Sequence, residues 1–158
     1  RMFYRPGPGS CGMSTVLVPY DESPMAERAF EQALDDHPDA TIQLLYVLDF
    51  AAASYGAPIE GGAGRYFQTW ETTRRDGAES RFEQARERAA DHPIFTGRIE
   101  TAVENGPPAK TIVKHAADID ADAIIIGSHG RTGLSRVLLG SVAESVVRRA
   151  HCPVVVVR

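Results

Sequence analysis

The chain has 158 residues, 43% apolar and 24% charged, which suits one domain able to bury a core without metal or disulfide staples. No apolar run approaches the ~18 residues that cross a bilayer, which argues against a membrane-spanning protein. A formal net charge of −4 argues against a broad nucleic-acid surface and leaves room for a small anion held by backbone amides.

The first twelve residues, RMFYRPGPGSCG, hold two prolines and three glycines and lack the apolar core of a secretory signal. They read as a leader or disordered arm, with the folded domain over 13–158. The two cysteines are Cys11 in that arm and Cys152 before the last apolar run. With no CxxC and no signal peptide, they suggest a reducing, cytoplasmic setting, and Cys152 reads as a small, partly buried hydrophobe.

From Met13 onward, five short apolar runs alternate with segments of helical spacing. The first run, TVLVPY (15–20), is followed by Ser23-Pro24, an N-cap with proline at the first helical position. Ala26, Ala29, Phe30, Ala33 and Leu34 then repeat at i, i+3, i+4, i+7 and i+8, one buried helix face. The second run is TIQLLYVL (41–48). Residues 51–69, AAASYGAPIEGGAGRYFQT, contain four glycines and no clear period, so they read as a loop, either a plain insertion or a lid over the sheet edge.

A charged helix is expected over 70–91, with Ala78, Phe82, Ala85 and Ala89 as its narrow buried stripe. After the third run, GRIETAV (97–103), a helix opens at Pro107-Pro108 and turns Ala109, Ile112, Val113 and Ala116 inward. The fourth run, DAIIIG (122–127), leads through a glycine-rich loop to a helix from about Ser141 to Ala150, with Val142, Val146 and Ala150 inward. PVVVV (153–157) closes the chain. Nearly unbroken Val, Ile and Leu runs suit strands covered on both faces, so the pattern is a doubly wound α/β domain with four helices around a parallel sheet.

The loop IIIGSHGRTGLSRVLLGSVAESV (124–146) holds arginines but neither of the two lysines. A helix start offers unpaired amides and a positive dipole end, so it can hold phosphate without lysine. Glycine permits close backbone approach to a ligand and positive φ. Ser141-x-x-Glu144 reads as a capping box. The absence of GxxxxGK[ST] removes a Walker A loop, and the glycine spacing fits a dinucleotide fingerprint poorly. On these grounds an anion site and a purely structural glycine loop both remain open. Ser128-His129 has no acid at a telling spacing and no GxSxG elbow, so a catalytic pair is not expected.

Gly127-x2-Gly130-x9-Gly140-Ser141 is similar to the G-2x-G-9x-G-[ST] pattern of the ATP-binding branch of the universal stress protein family. VLVPYDES, LLYVL, ENGPPAKTIVKHA, DADAIIIGSHGRTG and HCPVVVV also resemble that family, in the same order, over Met13 to Arg158. The resemblance implies a five-stranded parallel sheet of order 3-2-1-4-5, with nucleotide across the carboxyl ends of strands one and four. It implies ribose bonding by Asp21, a border to adenine from Pro19 and Tyr20, backbone contact from Val47 and an apolar wall from Ile126. Tyr is unusual at its place and is expected to pack if it does not border the base.

By the same resemblance, Gly127, Gly130, Gly140, Ser141 and Val142 would surround the phosphates with amides. Arg131 would pair with terminal phosphate oxygens, whereas Arg136 reads as solvent-facing. Mg or Mn would arrive on the phosphates, with no dedicated metal site and no catalytic residue. A homodimer through the edge strand Val154 to Val157 is implied, with no nucleic-acid or membrane partner. The implied function is a cytoplasmic, nucleotide-responsive stress protein. The alternatives are a nucleotide-free interaction module of the same fold and a slow ATPase.

Overall fold

The computed structural model describes residues 13–21, 23–54, 63–129 and 139–158. Expectations for the arm 1–12, for 55–62 and for Gly130, Arg131 and Arg136 lie outside the described residues. In chain order the elements are β1 (Thr15–Pro19), α1 (Pro24–Asp36), β2 (Thr41–Leu48), α2 (Phe50–Ser54) and α3 (Ala63–Asp91). They continue with β3 (Arg98–Asn105), α4 (Pro108–Asp118), β4 (Ala123–Gly127), α5 (Ser141–Arg149) and β5 (Val154–Val157). All strand pairs are parallel, in the order β3-β2-β1-β4-β5.

Strand alternation splits the core in two, because successive side chains point to opposite faces of a sheet. Val16, Val18 and Tyr20 of the first strand region join Ile42, Leu44, Tyr46 and Leu48 of β2 under α1 and α3, together with Phe30, Phe82 and Ile125. Leu17, Leu45, Ile124 and Ile126 face the other way, under Ile112 and Ala116 of α4 and Ala143 and Val146 of α5. Ser23 caps α1 by accepting from the Ala26 amide at 3.2 Å, with Pro24 as the first helical residue. The buried residues of α1 are the five that its spacing marks, and Ala78, Phe82, Ala85 and Ala89 are buried on α3.

The described residues form five helices rather than four, and two parts of the expected 51–69 loop are helical. The physical cause is packing that composition does not reveal. Asp49 accepts from the amides of Ala51 (3.0 Å) and Ala52 (3.4 Å), starting α2 across an alanine run. Phe50 then meets Trp70 at 5.0 Å and Phe67 at 6.3 Å between ring centroids. These contacts hold the amino-terminal end of α3 in place despite Gly64, whose flank is open.

Candidate functional site

The ladder between β1 and β4 closes only at Val16↔Ala123 and Leu17↔Ile124, although both strands run further. Outward from there, β1 stays with β2 through Pro19↔Leu45 and β4 stays with β5 through Gly127↔Val157. Pro19 has no N–H to offer a neighbour, and the Tyr20 amide donates to Leu45 O at 2.8 Å, on the β2 side. The two central strands therefore part at their carboxyl ends. That is the switch point of the sheet, where neighbouring connections diverge and a crevice opens.

A cavity of about 550 Å³ fills the crevice, within the size range of small-molecule and cofactor sites. Its lining includes Pro19, Tyr20 and Asp21 from the end of β1, Val47 from β2, Ile126 and Gly127 from β4, and Gly140, Ser141 and Val142 at the start of α5. The structure thus brings nine of the eleven site residues named from the sequence to one cavity. The remaining two, Gly130 and Arg131, lie outside the described residues.

Of the two readings of Tyr20 the structure shows the packing one, and other local details differ from expectation. The ring of Tyr20 turns away into the opposite core, 5.7 Å from Phe30 and 6.5 Å from Phe82 between centroids. Its hydroxyl donates to Glu27 at 2.7 Å and accepts from Arg88 at 2.6 Å. Burial first, then the bond from the hydroxyl to Glu27, push the Tyr20 phenol well above its ordinary range. The ring cannot present a face to a ligand in the crevice.

The capping box at Ser141 does not form. Gly140 is the N-cap of α5 with no side-chain cap bond, and Ser141 is the exposed first residue of the helix. The Glu144 amide bonds to Gly140 O at 2.9 Å, so the amides of Ser141, Val142 and Ala143 have no acceptor within the helix. The amide of Gly140 itself is taken, donating to Ser128 O at 2.7 Å. An anion here would meet the first three helical amides rather than that of Gly140.

Positive φ is not the reason for the glycines at 127 and 140. Among the described residues the positive-φ glycine is Gly106. A Cβ at Gly140 would sit 2.8 Å from Ser128 O, and one at Gly127 would sit 2.7 Å from Met25 Cβ and 2.8 Å from the Met25 carbonyl carbon. Both glycines let the chain approach its own backbone, which holds the crevice walls together.

Asp21 Oδ1 accepts from the Ser23 amide at 2.9 Å and the Ser23 hydroxyl at 2.5 Å, which fixes the carboxylate at the crevice rim. Ser128 is buried, and its hydroxyl lies 3.0 Å from His129 Nδ1. His129 Nε2 has no partner among the described residues. No group of three or more His, Cys, Asp or Glu placed to hold a metal occurs among the described residues. Sequence reasoning missed Asp49, Pro108, Ile112, Leu139 and Ala143, all of which line the cavity. Asp49 was findable: it follows Leu45 and Val47 at strand spacing, on the side of β2 that meets the crevice.

A single parallel sheet of order β3-β2-β1-β4-β5, with a cavity at its switch point and a helix N-terminus on the cavity wall, defines a doubly wound α/β domain. The chain matches the sequence profile of the Universal stress protein family over residues 13–158, and it belongs to that family. Universal stress protein MJ0531 of Methanocaldococcus jannaschii is 34% identical over 149 residues, which span 90% of this chain and 81% of that protein. The solved structure of MJ0577 matches with a TM-score of 0.78 at 28% identity, over 91% of this chain and 94% of that one. Universal stress protein UspA from Lactobacillus plantarum matches with a TM-score of 0.79 at 26% identity, over 94% of this chain and all of that one (100%). No helix among the described residues is long and apolar enough to cross a membrane.

Proposed function

We propose that this universal stress protein binds ATP in the crevice and acts in the cytoplasm as a nucleotide-responsive binding protein. The observation that carries this reading is the meeting of Asp21, Val47, Ile126, Gly127 and the first-turn residues 141–143, whose amides have no acceptor within the helix, around one cavity of about 550 Å³. The apolar part, from Val47 to Ile112 and Ile126, suits a base. The start of α5 suits the phosphates, since its amides and dipole favour negative charge. Asp21 also lines the cavity, and its carboxylate is the acceptor that this reading gives to the ribose hydroxyls.

Two solved proteins of this fold hold a nucleotide: a universal stress protein in complex with cAMP, at 22% identity, and one from Arabidopsis thaliana with AMP bound, at 18%. They share the fold with this chain and support a nucleotide as the class of ligand. Mg or Mn would ride on the phosphates, where it offsets charge that the two carboxylates lining the cavity, Asp21 and Asp49, do not. Arg131 completes the proposal as a partner of the terminal phosphate.

The same reading includes a homodimer through β5. This strand lies at the sheet edge and pairs with β4 alone among the described strands. Val155 on it and Val147 on neighbouring α5 are both exposed, an edge that a second copy would cover.

Calorimetric titration with ATP and Mg tests the binding function. We expect saturable heat with about one nucleotide per chain, and an Asp21→Asn variant, which keeps an oxygen for the Ser23 amide and hydroxyl, that binds more weakly while melting near the wild type. A flat titration of folded protein would leave the nucleotide-free module as the reading. Gly140→Val is a poor probe, because its Cβ meets the Ser128 carbonyl before any ligand does.

A further inference from the structure

We infer that Asp49 selects the base of the bound nucleotide, favouring a purine with an amino group at position 6 over one with an oxo group there. The inference rests on the nucleotide reading above and adds to it a residue and a discriminating contact. Leu45, Val47 and Asp49 follow one another at strand spacing, and all three line the cavity. They stand on the side of β2 that meets Pro108 and Ile112 of α4, also in the lining. Val47 and Asp49 come from β2, which β1 separates from β4 and the α5 that follows it, so with phosphates at the first turn of α5 the base falls on the β2 side.

The lining around this end is apolar, with Pro19, Leu45, Val47, Pro108 and Ile112. Asp49 is the polar exception on that side. Its Oδ1 is committed to the amides of Ala51 and Ala52, which fixes the carboxylate in one orientation at the start of α2. Its Oδ2 accepts no hydrogen bond among the described residues, and a carboxylate is an acceptor only. A fixed acceptor welcomes the N–H of a 6-amino group and faces a 6-oxo group oxygen to oxygen. Specificity of this kind comes as much from the repelled ligand as from the bound one.

The test compares ATP with inosine triphosphate, which carries the oxo group at position 6 in place of the amino group and has the same ribose and phosphates. The wild type should bind ATP about 10- to 100-fold more tightly, the span expected for gain or loss of a hydrogen bond to a charged group. Asp49→Asn keeps an oxygen for the Ala51 and Ala52 amides and adds an N–H₂ that can meet an oxo group. It should narrow the preference to within about threefold, chiefly by tighter inosine triphosphate binding. Asp49→Ser, which also can cap α2, should weaken ATP without strengthening inosine triphosphate. Thermal melts of both variants establish that they are folded.

A wild type that binds both nucleotides equally would overturn the inference and leave nucleotide binding standing. So would an Asn variant that keeps the wild-type preference. A wild type that binds neither nucleotide would overturn the proposed function and this inference together.

Discussion

The two faces of the sheet are built from the same strands and end differently. Toward α1 and α3, the alternating residues finish in aromatic rings, with Tyr20 against both Phe30 and Phe82 and Arg88 lying 5.5 Å above Phe30. Toward α4 and α5, they finish in Pro19, Asp21, Val47 and Asp49, and a cavity remains. One residue decides which face is filled at the end of β1. Tyr20 sends its bulk to the closed face, so Pro19 and Asp21 on either side of it are left for the open one. An open crevice and a closed core thus come from a single strand by period-two alternation.

Removing bulk from each face separates these roles. Phe82 is 1% exposed, and Phe82→Ala should destabilise by about 3–5 kcal/mol in urea unfolding, since a closed core cannot collapse onto the void. Ile126 lies at the wall of an open crevice, where truncation enlarges an existing space. Ile126→Ala should cost about 2 kcal/mol, at the low end for such a change, yet alter nucleotide affinity more than Phe82→Ala does. Equal stability losses from the two would mean that the crevice wall is packed as tightly as the core.

The polar end of the closed face gives a smaller effect with a pH signature. Tyr20→Phe keeps the ring and removes the hydroxyl that joins Glu27 to Arg88, although Arg88 still reaches Glu27 directly at 2.5 Å. A loss of about 1.5–3 kcal/mol at neutral pH is expected for a hydroxyl bonded to charged groups. Because burial raises the Tyr20 phenol above its ordinary pKa, the folded state holds that proton after the unfolded chain has lost it. The stabilisation is complete below pH about 10, the unfolded value, and is lost as pH climbs from there toward the folded one. The gap between wild type and Tyr20→Phe should therefore shrink above pH about 10 in denaturant titrations. A gap that stays constant would mean that the phenol titrates as it does in water.

What the sequence made legible follows the range of the interactions. The buried stripes of α1 and α3 are local repeats, and the parallel sheet follows from unbroken apolar runs alternating with helices. The crevice residues came from glycine spacing and family resemblance together. Helix α2 was hidden because its cap at Asp49 and its anchor, Phe50 on Trp70, become visible only when 49–52 and 67–70 are brought together. The reason for Gly127 was hidden likewise, since the atom that excludes a side chain there belongs to Met25, a hundred residues away in sequence. Local pattern reports which face a residue takes; it does not report how near another backbone comes.

The two serines at helix starts sharpen the same point at the smallest scale. Ser23 and Ser141 look alike in sequence, each just before or at the start of an apolar repeat, and each reads as a cap. Ser23 is buried and accepts from the Ala26 amide, so Ser23→Ala should cost about 1 kcal/mol. Ser141 is the first residue inside α5 and exposed, and the N-cap before it, Gly140, makes no side-chain cap bond. Ser141→Ala should change stability by less than about 0.5 kcal/mol, and any effect it has should appear in nucleotide affinity. The contrast has a physical origin in Gly140. The chain turns into α5 one residue early because Gly140 donates to Ser128 O, and that bond needs a close approach that no side chain at position 140 would permit. A Ser141→Ala loss as large as that of Ser23→Ala in thermal melts would show that the hydroxyl caps α5 in solution after all, withdrawing a first-turn amide from the anion.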